Sequence, residues 1–179
     1  MRNIKDKTVG LLAVMLGLFT FSQLIRALPT EAQELALGTN IRDFAGVTQW
    51  LNSKPLTLKD LHGKVVVIDF YTSGCGNCQA AVPHVVQLYN KYHNRGLVVV
   101  GVHTPESTYE KELTTVQSTA QHLGITYPIA VDNEHAVWYS YHNQFWPNLL
   151  IFDKEGKLVY EHAGEGFYEE IDRVVNELL

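Results

Sequence analysis

The chain has 179 residues, 46% of them hydrophobic and 18% charged, which excludes a disordered or multispan protein and allows one domain with a short additional segment. Its formal net charge is −5, and the chain from residue 27 onwards carries ten bases against eighteen acids, with no basic patch. A body this acidic is not expected to bind nucleic acid.

The N-terminal segment combines basic residues with an apolar run. Three bases among the first seven residues precede an uncharged, mostly apolar stretch from Thr8 to Ile25, which Arg26 follows. This order is typical of an export signal, and a length of about 18 residues lies between that of a cleavable signal and that of a spanning helix. We predict that residues 1–26 are a signal peptide or a single-span membrane anchor. The rest of the chain is then extracytoplasmic, in the periplasm.

The body of the chain alternates strand and helix patterns after a polar linker over residues 27–40. Residues 41–63 contain only short elements. Continuous apolar runs predict buried strands, and apolar residues at helical spacing predict helices. The predicted strands cover 64–72, 97–104, 125–131, 148–153 and 157–163. The predicted helices run from the cysteine pair to about Tyr92 and over 107–123, 134–141 and 167–179. This order predicts an α/β domain over residues 41–179, a mixed sheet with helices on both faces.

Only two cysteines occur, Cys75 and Cys78, and they lie between a predicted buried strand and a helix. In an exported protein the pair forms either a structural or a redox-active disulfide. A bridge across two residues removes little entropy from the unfolded chain, which favours redox activity. Unpaired N–H groups and the helix dipole favour a thiolate at the helix start, so Cys75 is predicted to attack and Cys78 to resolve the mixed disulfide.

Asp69 is the one charged residue within Val65–Tyr71. In a strand buried on both faces its side chain is expected to point into the interior, on the side of Val65 and Val67. Burial raises the pKa of a carboxyl group, which could then accept the proton of Cys78 as that thiol attacks. The alternative is an exposed aspartate at a strand end, which the apolar neighbours on both sides disfavour.

The segment from Asp69 to Pro83 resembles the thioredoxin active-site block. A strand aspartate is followed by two aromatic residues, by a C-G-x-C motif and by a proline five residues past the second cysteine. Asn77 occupies the proline position of the usual C-G-P-C. The stretch from His103 to Asp132 corresponds to the helix–strand insertion of the TlpA-type extracytoplasmic branch. The resemblance implies a thioredoxin-like fold for residues 41–179.

Further segments resemble the thioredoxin-like domain of DipZ-type membrane thiol reductases. They are Trp50–Leu56, Val100–Glu106, Trp146-Pro147 and Gly164–Gly166. The resemblance implies a thiol–disulfide oxidoreductase that exchanges disulfides with exported protein substrates and needs no cofactor. DipZ-type proteins join this domain to a multispan part that carries electrons, whereas this chain has at most one span. We therefore expect a separate membrane electron donor.

The family also implies a surface on which substrate binds. Thioredoxin-like proteins carry a cis-proline that faces the disulfide, and Trp146-Pro147 is the matching segment. A cis-proline here would leave a backbone edge free to pair with an extended substrate chain. Trp146 would then line the groove, although it could instead fill the core beside Trp138 and Phe145. The residues predicted to contact substrate are Gly76, Asn77, Trp146 and Pro147.

Three other functions of a cysteine pair each need further residues. A thiol peroxidase of the peroxiredoxin-related class needs P-x-x-x-T-x-x-C before its cysteine; Thr72 fits, but Ile68 replaces the proline. An exported copper chaperone would add His103 or His162 to the two thiolates. A zinc site would need two further ligands, and the eight histidines contain no pair at the usual spacing. We predict no metal site.

Overall fold

A computed structural model describes residues 35–179. The predicted signal or anchor segment, residues 1–26, and the linker up to residue 34 lie outside the described residues. Within residues 35–179, none of the helices is long and apolar enough to cross a membrane.

The described residues contain one six-stranded sheet in the order β1-β4-β3-β2-β5-β6. The strands are β1 Gln49–Leu51, β2 Val65–Tyr71, β3 Leu97–His103, β4 Ile129–Val131, β5 Asn148–Phe152 and β6 Leu158–Ala163. The three strands β2, β3 and β4 run parallel, while β1, β5 and β6 pair antiparallel with their neighbours. This mixed sheet confirms the predicted α/β architecture.

Helices cover both faces of the sheet. They are α1 Leu58–Leu61, α2 Gly76–Tyr92, α3 Leu113–His122, α4 Ala136–Ser140 and α5 Tyr168–Leu178, with 3₁₀ turns at His93–Arg95 and Thr108–Lys111. Apolar residues of α2, α3 and α5 pack on one face of β2, and those of α1 and α4 pack on the other. Since all seven residues of β2 are buried, this strand is the centre of both cores.

The helix predicted over 107–123 is interrupted. Ser107 and Glu110 form a capping box that starts a short 3₁₀ turn, and Glu112 is extended at φ −68° and ψ 123°. The α-helix therefore begins only at Leu113. The Glu110 carboxylate also accepts hydrogen bonds from the loop after β2, a contact that the helical spacing of the sequence does not reveal.

The strand predicted over 125–131 is also shorter than expected, and only Ile129–Val131 pair in the sheet. The side-chain amide of Asn52 donates to the carbonyl oxygens of Ile125 and Tyr127 at 3.1 and 3.0 Å. These carbonyl groups are thereby satisfied without a neighbouring strand. Strand β1, three residues long, was not predicted.

The last residues of the predicted linker pack on the domain. Gly38 N–H donates to the Leu158 carbonyl, Leu158 N–H donates to the Thr39 carbonyl, and Asn40 forms an isolated bridge with Lys157. The contacts of the domain therefore begin before residue 41.

Candidate active site

Cys75 and Cys78 are joined in a disulfide at the N-terminus of α2. Cys75 is the N-cap residue and is half-buried, whereas Cys78 is 1% exposed. The backbone N–H of Cys78 donates to the Cys75 sulfur at 3.1 Å. After reduction, this amide and the helix dipole favour a thiolate on Cys75, while the Cys78 thiol is shielded from solvent.

Asp69 lies in the interior, as predicted, with 1% of its surface exposed. Burial raises its pKa to about 7, and the hydrogen bond donated by the Tyr127 hydroxyl at 3.3 Å opposes this only in part. The carboxyl group lines a cavity of about 370 Å³ between α2, β5 and α5, which Pro147 also lines. A group with this pKa can take up and release a proton near neutral pH.

A glycine opposite Asp69 makes room for the aromatic rings around it. Gly101 on β3 is in register with Asp69 on β2. A Cβ atom at this position would lie 3.0 Å from the Tyr127 ring and 3.1 Å from the Tyr71 ring. The missing side chain allows both tyrosines to pack beside the buried carboxyl group.

The Trp146–Pro147 peptide bond is cis. Trp146 is half-buried: its ring stacks on Trp138 with centroids 4.0 Å apart, and its Nε1–H donates to the Thr104 carbonyl at 3.0 Å. Phe145 is 57% exposed. Trp146 therefore packs on Trp138, as the core alternative expects, but it does not share a buried site with Phe145. The two residues between the cysteines, Gly76 and Asn77, are exposed.

The two histidines considered as copper ligands have other neighbours. His103 is fully buried, and its Nε2 lies 3.2 Å from Ser73 N, which donates to it, and 2.9 Å from Ser73 Oγ. Burial lowers the pKa of His103 to about 4 against the opposing charge of Glu110. His162 packs on Phe167. No group of three or more His, Cys, Asp or Glu side chains within residues 35–179 is placed to hold a metal ion.

Sequence reasoning missed Glu110, whose carboxylate is bonded to the loop that precedes Cys75. Glu110 Oε1 accepts from Thr72 Oγ1 at 2.6 Å and from Gly74 N at 2.5 Å. A Ser-x-x-Glu capping box at Ser107 is visible in the sequence. It explains the local cap, but it does not indicate the contact with a loop some 36 residues earlier in the chain.

The raised pKa of Asp69 predicts how stability depends on pH. The folded carboxyl group holds a proton that the unfolded chain releases, so stability falls as the pH rises from about 4 to 7 and then levels off. Asp69→Asn removes this loss. In urea denaturation of the oxidised proteins, the free energy of unfolding of Asp69→Asn minus that of wild type should rise by about 1.4 kcal/mol per pH unit from about pH 4 to pH 7.

Asp60→Asn is the matched control. Asp60 is exposed, and its hydrogen bonds with Thr57 lower its pKa. The difference in free energy of unfolding between Asp60→Asn and wild type should therefore not change between pH 5 and 8. A constant difference for Asp69→Asn over the same range would contradict the raised pKa.

Comparison with known proteins identifies the family of this chain. Residues 36–176 match the Redoxin family. The chain is 47% identical over 140 residues to Protein DipZ of Mycobacterium bovis, a match that covers 76% of this chain and 20% of the relative. The chain thus spans about a fifth of the length of that relative. It is also 33% identical over 138 residues to Thiol-disulfide oxidoreductase YkuV of Bacillus subtilis, covering 76% of this chain and 92% of the relative.

Solved structures agree with this assignment. The solution structure of a thioredoxin-like protein in the oxidised form superposes with a TM-score of 0.70 at 31% identity, covering 82% of this chain and 97% of the other. The resemblance inferred from the active-site motif and from the Trp146-Pro147 segment is confirmed. The chain therefore belongs to the Redoxin family and is a thioredoxin-like protein of the TlpA and DipZ type.

Proposed function

We propose that this protein is a thiol–disulfide oxidoreductase that exchanges disulfides with exported proteins through Cys75 and Cys78. The observation that carries the proposal is the different exposure of the two sulfurs at one helix N-terminus, with Cys75 half-buried as the N-cap and Cys78 buried one turn later. Similarity to YkuV, named a thiol–disulfide oxidoreductase and matched over nearly its whole length, supports the same activity.

The reaction proceeds in two exchange steps. The Cys75 thiolate attacks one sulfur of a substrate disulfide, a bond forms between Cys75 and that sulfur, and the other substrate sulfur leaves as a thiolate. Cys78 then attacks the Cys75 sulfur, forms the Cys75–Cys78 disulfide and releases the second substrate sulfur. Two electrons pass from the dithiol to the substrate, which takes up two protons in total.

Asp69 is the proposed acceptor of the Cys78 proton. Cys78 is buried and must lose its proton to become a nucleophile, since only the thiolate attacks. Asp69 is buried on β2 between Val67 and Tyr71, which belong to the same core cluster as Cys78, and its pKa of about 7 suits a general base at neutral pH.

We also propose an extracytoplasmic location and a separate membrane donor of electrons. The basic and then apolar N-terminal segment supports export or anchoring. Each substrate reduced leaves a Cys75–Cys78 disulfide, so continued turnover needs two electrons from a partner.

Replacing each cysteine separates the two steps. Cys75→Ser should abolish the reduction of insulin disulfides, whereas Cys78→Ser should accumulate a mixed disulfide through Cys75, seen on a non-reducing gel and by mass spectrometry. In the reduced protein, Cys75 should titrate between about 3.5 and 7.5. The assignment of Cys75 is wrong if iodoacetamide labels it no faster than free cysteine at pH 7.

Asp69→Asn should slow the second step, because Cys78 loses its proton acceptor while the hydrogen bond from Tyr127 is retained. General base catalysis of this kind is worth about 10²- to 10⁴-fold. Stopped-flow measurement of the decay of the mixed disulfide from pH 6 to 8 tests this expectation, with the labelling rate of Cys75 as the internal control for the first step. Decay at the wild-type rate across this range would exclude Asp69 as the base.

Trp146, Pro147, Gly76 and Asn77 form the proposed surface for an extended substrate segment. Gly76 and Asn77 are exposed beside the disulfide, and Trp146 is half-buried with its ring held by Trp138 and by the Thr104 carbonyl. A ring held in this way offers an apolar contact without loss of side-chain entropy on binding. This favours protein substrates over small thiols such as glutathione.

Trp146→Ala should lower activity on insulin about tenfold more than on a small aromatic disulfide, which corresponds to roughly 1.4 kcal/mol of binding in the transition state. Trp50→Ala is the matched control, because Trp50, which lies in β1 at the sheet edge, is also half-buried and packs on Phe44. It should affect both substrates equally. An equal loss for both substrates with Trp146→Ala would assign Trp146 to the core alone.

A further inference from the structure

The Glu110 carboxylate connects the insertion after β3 with the loop before Cys75. Its residue is 3% exposed. Oε1 accepts hydrogen bonds from Thr72 Oγ1 at 2.6 Å and from Gly74 N at 2.5 Å. Oε2 accepts from Glu106 N at 2.9 Å, from Ser107 N at 2.8 Å and from Ser107 Oγ at 3.1 Å. One side chain therefore joins the insertion to the loop before the active site, and this loop leads directly to Cys75, the proposed attacking thiol.

All five atoms that contact the Glu110 carboxylate act as hydrogen-bond donors, so this position is best filled by a group that only accepts. Burial raises the pKa of Glu110, but the hydrogen bonds from Thr72, Gly74, Ser107 and Glu106 outweigh it, and the pKa lies below its ordinary value. The group is thus a carboxylate at neutral pH. A glutamine of the same shape would turn an NH₂ group towards donors on one of the two sides and lose hydrogen bonds there.

The lack of a side chain at Gly74 leaves room for the Glu110 carboxylate. A Cβ atom at position 74 would lie 2.9 Å from Glu110 Oε1, and the φ of Gly74 is outside the left-handed region. The position could therefore accept alanine were it not for the carboxylate. The preceding residue is also fixed, because Ser73 N–H donates to His103 Nε2 at 3.2 Å and Gln79 Nε2 donates to the Ser73 carbonyl at 2.9 Å.

We propose that Glu110 is a positioning residue for disulfide exchange, acting through Thr72 and Gly74 to fix Cys75 at the N-terminus of α2. The inference rests on the proposed role of Cys75 as the attacking thiol. Attack on a disulfide needs the nucleophilic sulfur in line with the bond that breaks, and a misplacement of about 1 Å in an active site can reduce a rate 10²-fold. The loop from Thr72 to Gly74 sets the position of the Cys75 backbone.

An effect of charge alone would be small. Removing a negative charge near Cys75 lowers the pKa of Cys75, and a thiol that is already ionised at neutral pH then loses intrinsic nucleophilicity, about threefold in rate for each unit by which the pKa falls. Loss of position slows attack whatever the pKa. The rate and the pKa of Cys75, measured on the same variant, therefore distinguish a positioning role from an electrostatic one.

Glu110→Gln is the first test, with reduced protein and insulin as the disulfide. The second-order rate constant for formation of the mixed disulfide, corrected for the folded fraction, should fall at least tenfold, while the pKa of Cys75 from iodoacetamide labelling stays equal or falls. Asp60→Asn is the matched control, since Asp60 forms the same kind of capping box with Thr57 at an exposed site. It should leave the rate unchanged.

A double-mutant cycle with Gly74 tests the contact itself and does not depend on the stability of one variant. Gly74→Ala should slow exchange in the wild-type background, because its Cβ displaces the carboxylate, and should add little in a Glu110→Ala background. Additive effects would overturn the proposal, as would a Glu110→Gln rate within twofold of wild type. If wild-type protein fails to reduce insulin, the proposed function fails instead.

Discussion

β2 pairs with β3 on one side and with β5 on the other, and all seven of its residues are buried. This burial is the constraint on which the rest of the domain depends, because both core clusters include residues of β2. It also determines the site. The end of the strand leads within four residues to Cys75, and its one charged residue, Asp69, is buried and lines the cavity beside α2.

Asp69 and Glu110 show how surroundings give opposite states to similar groups. Both are buried, at 1% and 3% exposure. Asp69 receives one hydrogen bond from a side chain, so desolvation dominates and its pKa rises to about 7. Glu110 receives five from backbone and hydroxyl donors, and its pKa falls. One group is therefore suited to exchange a proton, and the other to remain a fixed, ionised anchor.

Thr104 joins the segments that surround the disulfide. Its N–H donates to the Tyr71 carbonyl at the end of β2, its carbonyl accepts from Trp146 Nε1, and its hydroxyl donates to Asp132 at 3.2 Å. Asp132 in turn accepts from the N–H groups of Val137 and Trp138 in the first turn of α4. The segment before the cis-proline, the end of the central strand and the end of the insertion are thus held by one residue, so the proposed substrate surface rests on hydrogen-bonded neighbours.

Much of the fold and the centre of the site could be predicted from the sequence, because they depend on local patterns. Continuous apolar runs identified β2, β3 and β5, and helical spacing identified α2 and α5. The cysteine spacing indicated a redox pair, and one charge within an apolar strand indicated a buried carboxyl group. For residues 1–26 the basic and apolar pattern stands as a prediction of export or anchoring.

Only the tertiary structure decided the contacts between segments far apart in the chain. The Asn52 amide donates to the carbonyl groups of residues 125 and 127, which are thereby satisfied outside the sheet although the apolar composition of residues 125–131 favours a strand. His103 contacts Ser73, and Glu110 contacts Thr72 and Gly74, across 30 to 38 residues. Hydrophobic periodicity records which face of an element is buried, whereas a hydrogen bond from a polar side chain depends on which loop the fold brings beside it.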